Sequence, residues 1–274
     1  MQIKDAVVLL AGLGTRCYPF SYVMPKCMIP ILNRPVIEYV VEELILSGIE
    51  NIYFVLPKFF SSKICIQHFK QNKKVLNLLK NKNSLYYEKI ISRKFPKIIP
   101  VFSKVPNGSG GAVLQCEKYL KNKTFVIVNG DDLFFGDVPA TKELISLATQ
   151  KKASVVACLK IDVKDNCKYG MAITKQENNF SKMIGLVEKP QNNNQLDFAV
   201  VGRYIVNSDI FKYLKQTPKV NGEIFFTVAL DKYAQNNNVY CTTLSSTRYD
   251  CGNLQGILNA TFDLTKNDCH LHIW

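Results

Sequence analysis

The stretch AVVLLAGLGTR, Ala6 to Arg16, decides how this chain is read. Its first five residues are apolar without a break, the mark of a strand buried on both faces, and they run straight into two glycines and an arginine. Lys4 to Leu10 is therefore expected to be a strand that stops at a glycine loop. Glycine lets the backbone approach a ligand closely with its N–H groups free, and Arg16 adds a fixed cationic fork, so the loop suits a polyphosphate. Alone, a G-x-G after a strand can also be part of a dinucleotide fingerprint or a plain tight turn. Against a dinucleotide site, the third glycine is missing, Tyr18-Pro19 interrupts the place where a helix should start, and the next strand, Asn51 to Leu56, ends without a ribose-binding acid.

Outward from the loop, strand-like and helix-like segments alternate. Pro35 to Ser47 carries Ile37, Val40, Val41, Leu44 and Ile45 at helical spacing, with Gly48 as its stop. Residues from Ser61 to about Lys94 read as one or two basic helices, and Ile98 to Phe102 as a short strand. PNGSGG then opens a helix over Ala112 to Tyr119. The strand Thr124 to Val128 ends in NGDD, and a helix around Thr141 to Gln150 leads to a strand at Ala153 to Ile161. This succession predicts an α/β domain of the doubly wound, Rossmann-like class: a mostly parallel sheet with helices on both faces. Shorter strands follow, Tyr169 to Thr174, Met183 to Val187 and Phe198 to Val206, with helices near Ser208 and Gly222; these read as substrate elements added in the second half. No linker or repeat divides the chain, so residues 1–265 form one domain and 266–274 a tail.

Composition narrows the function classes. With 274 residues, 47% hydrophobic and 21% charged, the chain is long enough for a full core and too apolar for disorder. No apolar run approaches the ~20 residues of a membrane span, and MQIKDAVV lacks a signal core, so a cytoplasmic protein is expected. The nine cysteines are scattered and form no C-x-x-C pair, which argues against a disulfide framework or a zinc ribbon; Cys269-His270-Leu271-His272 has no second cluster to complete a metal site. A net charge of +13 would suit a nucleic acid or a polyphosphate. The charge comes with runs of asparagine, as in KQNKKVLNLLKNKN, and without a nucleic-acid module, so it reads as solvated surface.

The longer stretch AVVLLAGLGTRCYPFSYVMPKCMIPILNRPVIEYVVEE closely resembles the sugar-nucleotide pyrophosphorylases, specifically the bacterial UTP:glucose-1-phosphate uridylyltransferases. The resemblance continues in family order through NGDDLFFG, KYGMAIT, GLVEKP, AVVGRYIV, GEIFFTVAL and RYDCGNLQGILNAT, over nearly the whole chain. It implies transfer of UMP from UTP to glucose 1-phosphate, giving UDP-glucose and pyrophosphate. It also implies Mg²⁺ as cofactor and a homo-oligomer, with neither nucleic acid nor membrane as partner. Arg16 and Lys26 would neutralise the triphosphate and Lys189 would hold the sugar phosphate. Asp131 and Asp250 would share the metal, as two hard carboxylates can. Glu188 would accept from a sugar diol, with Gly170 and Val201 lining the hexose. Ala11, Gly12, Gly14, Thr15, Ser103, Gly108 and Gly110 would surround the nucleotide.

The chain also departs from that family. Pro25-Lys26-Cys27-Met28 stands for PKEM, so an acid beside the lysine is lost. Val228 takes an aspartate position, and Gly108-Ser109-Gly110-Gly111 replaces Gly-Leu-Gly-His. Ser103 stands where relatives carry the glutamine that reads the uracil edge, and a hydroxyl cannot make the two-point contact of an amide. The base is then expected to rest largely on backbone groups of Ala11, Gly12 and the Gly108 to Gly110 segment; Lys104 and Asn107 are the next candidates if a side chain other than Ser103 reads it. A related enzyme of other base or sugar preference, and a catalytically weak regulatory paralogue, are the alternatives; retention of Lys26, Asp131, Lys189 and Asp250 speaks against the second.

Overall fold

A computed structural model describes residues 2–58, 62–82, 87–88, 96–103, 107–190, 196 and 198–266. Lys104, the Cys269 to His272 tail and parts of the basic segment 61–94 lie outside the described residues.

Among the described residues thirteen strands follow in chain order: β1 Asp5–Leu9, β2 Pro30–Ile31, β3 Arg34–Pro35, β4 Asn51–Pro57, β5 Lys97–Ser103, β6 Thr124–Asn129, β7 Asp132–Phe135, β8 Ser154–Lys160, β9 Gly170–Glu177, β10 Phe180–Glu188, β11 Phe198–Asn207, β12 Val239–Thr243 and β13 Thr247–Asp250. Nine of them build one sheet in the order β5-β4-β1-β6-β11-β8-β12-β10-β9. The apolar run that opened the chain lies near its middle. Ala6 and Val8 point into one core and Val7 into the other, so the absence of alternation in the sequence is the signature of two covered faces. The helices Val36–Leu46, Ala140–Lys151 and Leu254–Lys266 cover the first face, and Gly108–Leu114, Ile210–Gln216 and Phe226–Asn236 the second.

The sheet is mixed, which corrects the expectation of a mostly parallel one. β5, β4, β1 and β6 run parallel, as do β8 and β12, but β11 enters antiparallel between β6 and β8. β9 and β10 form an antiparallel hairpin at the edge. Its turn residues Asn178 and Asn179 have φ of 48° and 64°, the left-handed conformation that asparagine tolerates and that matches strand twist.

Two further differences bear on the site. The helix after PNGSGG starts at Gly108, four residues earlier than predicted, because tertiary packing overrides the low helix propensity of glycine. A Cβ on Gly110 would lie 2.8 Å from Ile224 Cγ2 and 2.9 Å from Leu214 Cδ2, so only glycine lets this turn close on its neighbours. Second, β7 and β13 pair antiparallel outside the main sheet, with Asp132 opposite Asp250. This ribbon joins the NGDD loop to the RYDCG segment. Among the described residues no helix is long and apolar enough to cross a membrane.

Candidate active site

The site lies beyond the carboxyl ends of β1 and β6, where two parallel strands deliver the glycine loop and the NGDD loop side by side. In the first loop Gly14 adopts φ 69°, and a Cβ there would meet Ser21 Cβ at 3.0 Å and Lys26 Cβ at 3.2 Å. The loop thus folds down on the segment that carries Lys26. Cys27, in place of the acid expected beside that lysine, is buried with its Sγ 3.5 Å from Cys65 Sγ, anchoring the segment to the helix Ser62–Gln67.

Lys26 Nζ donates to Asp131 Oδ2, and both side chains are mostly buried. Burial alone would raise the Asp131 carboxyl; the Lys26 charge and hydrogen bond outweigh it and hold the carboxyl below its usual range. Burial likewise pulls the Lys26 ammonium down, and the Asp131 charge more than compensates, leaving it above the ordinary lysine value. The two are charged together across neutral pH.

Asp250 reaches the same point from the end of β13. Its Oδ1 accepts from Gly252 N at 2.9 Å and its Oδ2 lies 3.7 Å from Arg16 Nη1. A Cβ placed on Gly252 would sit 2.6 Å from Asp131 Oδ2 and 2.8 Å from both Asp250 Oδ1 and Arg16 Nη2. Two carboxylates and a guanidinium therefore converge on one spot, over a glycine that leaves it open.

Behind this spot the scaffold is ionic. Arg203 is fully buried in β11; it donates to Glu43 Oε1 at 3.1 Å and Oε2 at 2.5 Å, and to the Asp132 carbonyl at 2.9 Å. The Glu43 carboxylate also accepts from the Thr141 backbone at 2.9 Å. One guanidinium thus ties two helices on the first face to the NGDD loop. Asp132 is buried against Arg248; burial pushes its carboxyl up and the Arg248 charge pulls it down, with a net rise.

Two adjoining compartments flank the convergence. The smaller, of about 420 Å³, is walled by Ala11, Gly12, Gly14, Lys26, Asn107 and Gly108 among others. The larger, of about 770 Å³, is walled by Arg16, Gly170, Glu188, Lys189, Val201 and Asp250 among others. Leu9, Thr15, Ser109, Asn129, Asp131 and Glu223 line both, so Asp131 stands at the junction. In the larger one, Lys189 takes φ 45°, its N–H donates to the Tyr169 carbonyl at 3.0 Å, and its Nζ lies 3.9 Å from Glu188 Oε1. A Cβ on Gly170 would lie 3.1 Å from Glu188 Oε2, so that glycine lets the carboxylate lie flat against the wall.

Most of the residues singled out in the sequence are thus brought together. Two stand apart. Gly110 is buried, with its N–H donated to the Ile224 carbonyl at 2.8 Å, and Ser103 is buried behind Asn107, which forms the compartment wall there. Sequence reasoning gave no role to Arg248, Glu223 or Thr227, which also line the larger compartment. Arg248 carried a usable signal, since it precedes Asp250 by two residues and so shares its strand face.

Comparison with known proteins shows what the chain is similar to. The profile of a family described as "Nucleotidyl transferase" matches residues 5–267. The chain is 32% identical to UTP--glucose-1-phosphate uridylyltransferase 2 of Staphylococcus saprophyticus over 277 residues, covering 99% of this chain and 95% of that protein. It is 32% identical to the UTP--glucose-1-phosphate uridylyltransferase of Staphylococcus epidermidis over 272 residues, covering 97% and 94%. Among solved structures, the UTP-bound UGPase from Acinetobacter baumannii superposes with a TM-score of 0.90 at 28% identity, covering 98% of this chain and 96% of that one. A UDP-glucose pyrophosphorylase complexed with UDP-glucose superposes with a TM-score of 0.83 at 31% identity, covering 97% and 100%.

Proposed function

The chain belongs to the nucleotidyl transferase family, and on that premise we propose that it transfers UMP from UTP to glucose 1-phosphate, releasing pyrophosphate and forming UDP-glucose. The observation that carries this reading is the junction of the two compartments, where Lys26, Asp131, Asp250 and Arg16 meet. A transfer between two polyanions needs charge and positioning more than an activated nucleophile, and that junction offers both.

A phosphate oxygen of the sugar phosphate forms the new bond to the α-phosphorus as the α–β phosphoanhydride bond breaks. The nucleophile is already an anion, so no side chain has to remove a proton. Arg16 and Lys26 face the triphosphate and offset the charge gathering on the leaving pyrophosphate. Lys189 holds the sugar phosphate in line, and Glu188 accepts from a pair of sugar hydroxyls, with Gly170 and Val201 against the ring. Asp131 and Asp250 are the residues that would hold a magnesium ion: both are hard oxygen donors that approach each other beside Gly252, with Lys26 on Asp131 and Arg16 facing Asp250, and since no cluster of three metal-binding side chains occurs among the described residues, phosphate oxygens and water would complete the shell. Such an ion supplies Lewis-acid neutralisation of the phosphates.

The test is pyrophosphate release measured over a matrix of nucleoside triphosphates and sugar 1-phosphates. The highest kcat/KM is expected for UTP with glucose 1-phosphate. A different best pair would replace the assignment with that enzyme of the family, and no release from any pair would refute it.

A further inference from the structure

β11 reads FAVVGRYIVN, and its one charged residue, Arg203, is fully buried. A guanidinium taken out of water is costly unless each of its five N–H groups finds an acceptor, and here all five do. Nε and Nη2 donate to the two oxygens of Glu43. The remaining donors go to backbone carbonyls: Nη2 to Asp132 at 2.9 Å, and Nη1 to Gly202 at 3.0 Å and Asn129 at 3.4 Å. The Phe134 ring lies against the fork, its centroid 4.8 Å from Arg203 Cζ. Asn129 and Asp132 are the first and last residues of NGDD, so one rigid fork grips the loop on either side of Gly130 and Asp131. The antiparallel course of β11 makes this possible. It pairs Arg203 with Val128 and lays Gly202 against Asn129, where a Cβ would come 2.8 Å from Asn129 Cβ. The Asp131 carbonyl accepts from Cys251 N at 2.8 Å, which ties the gripped loop to the segment that carries Asp250. Arg203 itself reaches neither compartment.

We propose that Arg203 is a positioning residue for the transfer: by bracketing the NGDD loop it sets where the Asp131 carboxylate stands between the two compartments, and Glu43 holds the fork at that angle. The proposal rests on the reading above, in which the junction at Asp131 is where the phosphates meet. A buried ion pair that serves stability alone shows in unfolding, whereas a bracket shows in kcat. Lysine keeps a positive charge beside Glu43, but its ammonium is a single point donor and cannot hold two carbonyls on either side of a loop. Glu43→Gln replaces one carboxylate oxygen by an NH₂ group. Whichever way that amide faces, a donor meets an Arg203 N–H: Nε if it takes the Oε1 place, Nη2 if it takes the Oε2 place. Each substitution therefore loosens the grip on the loop without touching a compartment wall.

The experiment measures kcat and KM for pyrophosphate release in the parent, Arg203→Lys, Glu43→Gln and Leu144→Ala, with thermal unfolding of each protein and isothermal titration of UTP. Leu144 is fully buried in the first-face core, so Leu144→Ala reports what a loss of stability does by itself. In assays run well below every unfolding midpoint, Arg203→Lys is expected to lower kcat about 10- to 100-fold and Glu43→Gln about 10-fold, the scale of a displacement approaching ~1 Å. KM for both substrates and the affinity for UTP should stay within about threefold, because the groups that bind them lie elsewhere, and Leu144→Ala should keep the parent kcat. If Arg203→Lys does not fold, Glu43→Gln decides. A kcat within about twofold of the parent in the folded variants, a loss of UTP affinity that matches the fall in kcat, or an equal fall in Leu144→Ala overturns the positioning role alone. A parent that prefers another substrate pair is compared with its variants on that pair. A folded parent that releases pyrophosphate from no pair refutes the transferase reading and this proposal with it.

Discussion

Gly252→Ala tests the convergence at the site with a single methyl group. Gly252 does not need a left-handed φ, so alanine can adopt its backbone, and the added carbon meets side-chain atoms: Asp131 Oδ2 at 2.6 Å, Asp250 Oδ1 at 2.8 Å and Arg16 Nη2 at 2.8 Å. Ordinary contacts of a Cβ begin near 3.4 Å, so the two carboxylates must retreat by about 0.6–0.8 Å. Displacement of about 1 Å in a site that works by positioning costs roughly 100-fold, so a loss of about 10- to 100-fold in kcat is expected, with the thermal midpoint little changed. Gly48→Ala is the comparison: its φ of 82° strains any side chain and open space surrounds it, so about 1–2 kcal/mol of stability should go and turnover stay. Initial rates of pyrophosphate release at saturating substrates, with thermal unfolding of each variant, decide the matter. If Gly252→Ala turns over within threefold of the parent while folded, the meeting of Asp131 and Asp250 is not where the chemistry occurs.

Asp131→Asn and Asp250→Asn should each cut turnover at least ~100-fold while the protein stays folded, and near-normal rates in both would remove the metal assignment. Lys189→Ala should chiefly weaken binding of the sugar phosphate and Arg16→Ala that of the triphosphate; isothermal titration with each ligand separates them, and equal losses of both ligands in both variants would contradict the division. Lys26→Met leaves the Asp131 carboxylate buried without its partner, at a cost of about 1–3 kcal/mol near neutral pH. Because Asp131 is held below its unfolded value of about 3.9, the pair stabilises the parent above that pH, and its contribution disappears as pH falls through the folded value. Urea midpoints should therefore differ most at pH 7 and converge towards pH 3, whereas a gap that widens in acid would reverse the sign of the argument.

The first half of the fold could be read from the chain because its signals are local, whereas the residues of the candidate site were singled out mainly by the resemblance. An unbroken apolar run such as Ala6 to Leu10 marks a strand covered on both faces, and the glycine loop and NGDD fall at strand ends where ligands bind. Strand direction carries no such signal. β11, FAVVGRYIVN, is apolar on both faces whichever way it runs, so its antiparallel entry next to β6 emerges only from packing. The start of the helix at Gly108 was hidden for a related reason, since glycine disfavours a helix locally and only Ile224 and Leu214, far along the chain, make it necessary. No local pattern marks the strand that carries Asp250, because it has four residues and its partner is β7, not the main sheet. The helix Leu254–Lys266 was not read as an element, since Leu254, Leu258 and Phe262 on its exposed side blur the period set by Ile257, Ala260 and Leu264.

The pairing of β7 with β13 also gives the site a place in time. Lys26 and Asp131 come from the first half of the chain, and a ribosome has delivered both long before it reaches Asp250. Until β13 lies along β7, the second carboxylate is missing and the guanidinium of Arg16 lacks the partner that faces it. Closing so long a loop is entropically costly and slow, so this ribbon belongs among the late events of folding. A nascent chain then lacks turnover until residue 250 has been made and docked, and the appearance of turnover during translation reports the docking of one four-residue strand.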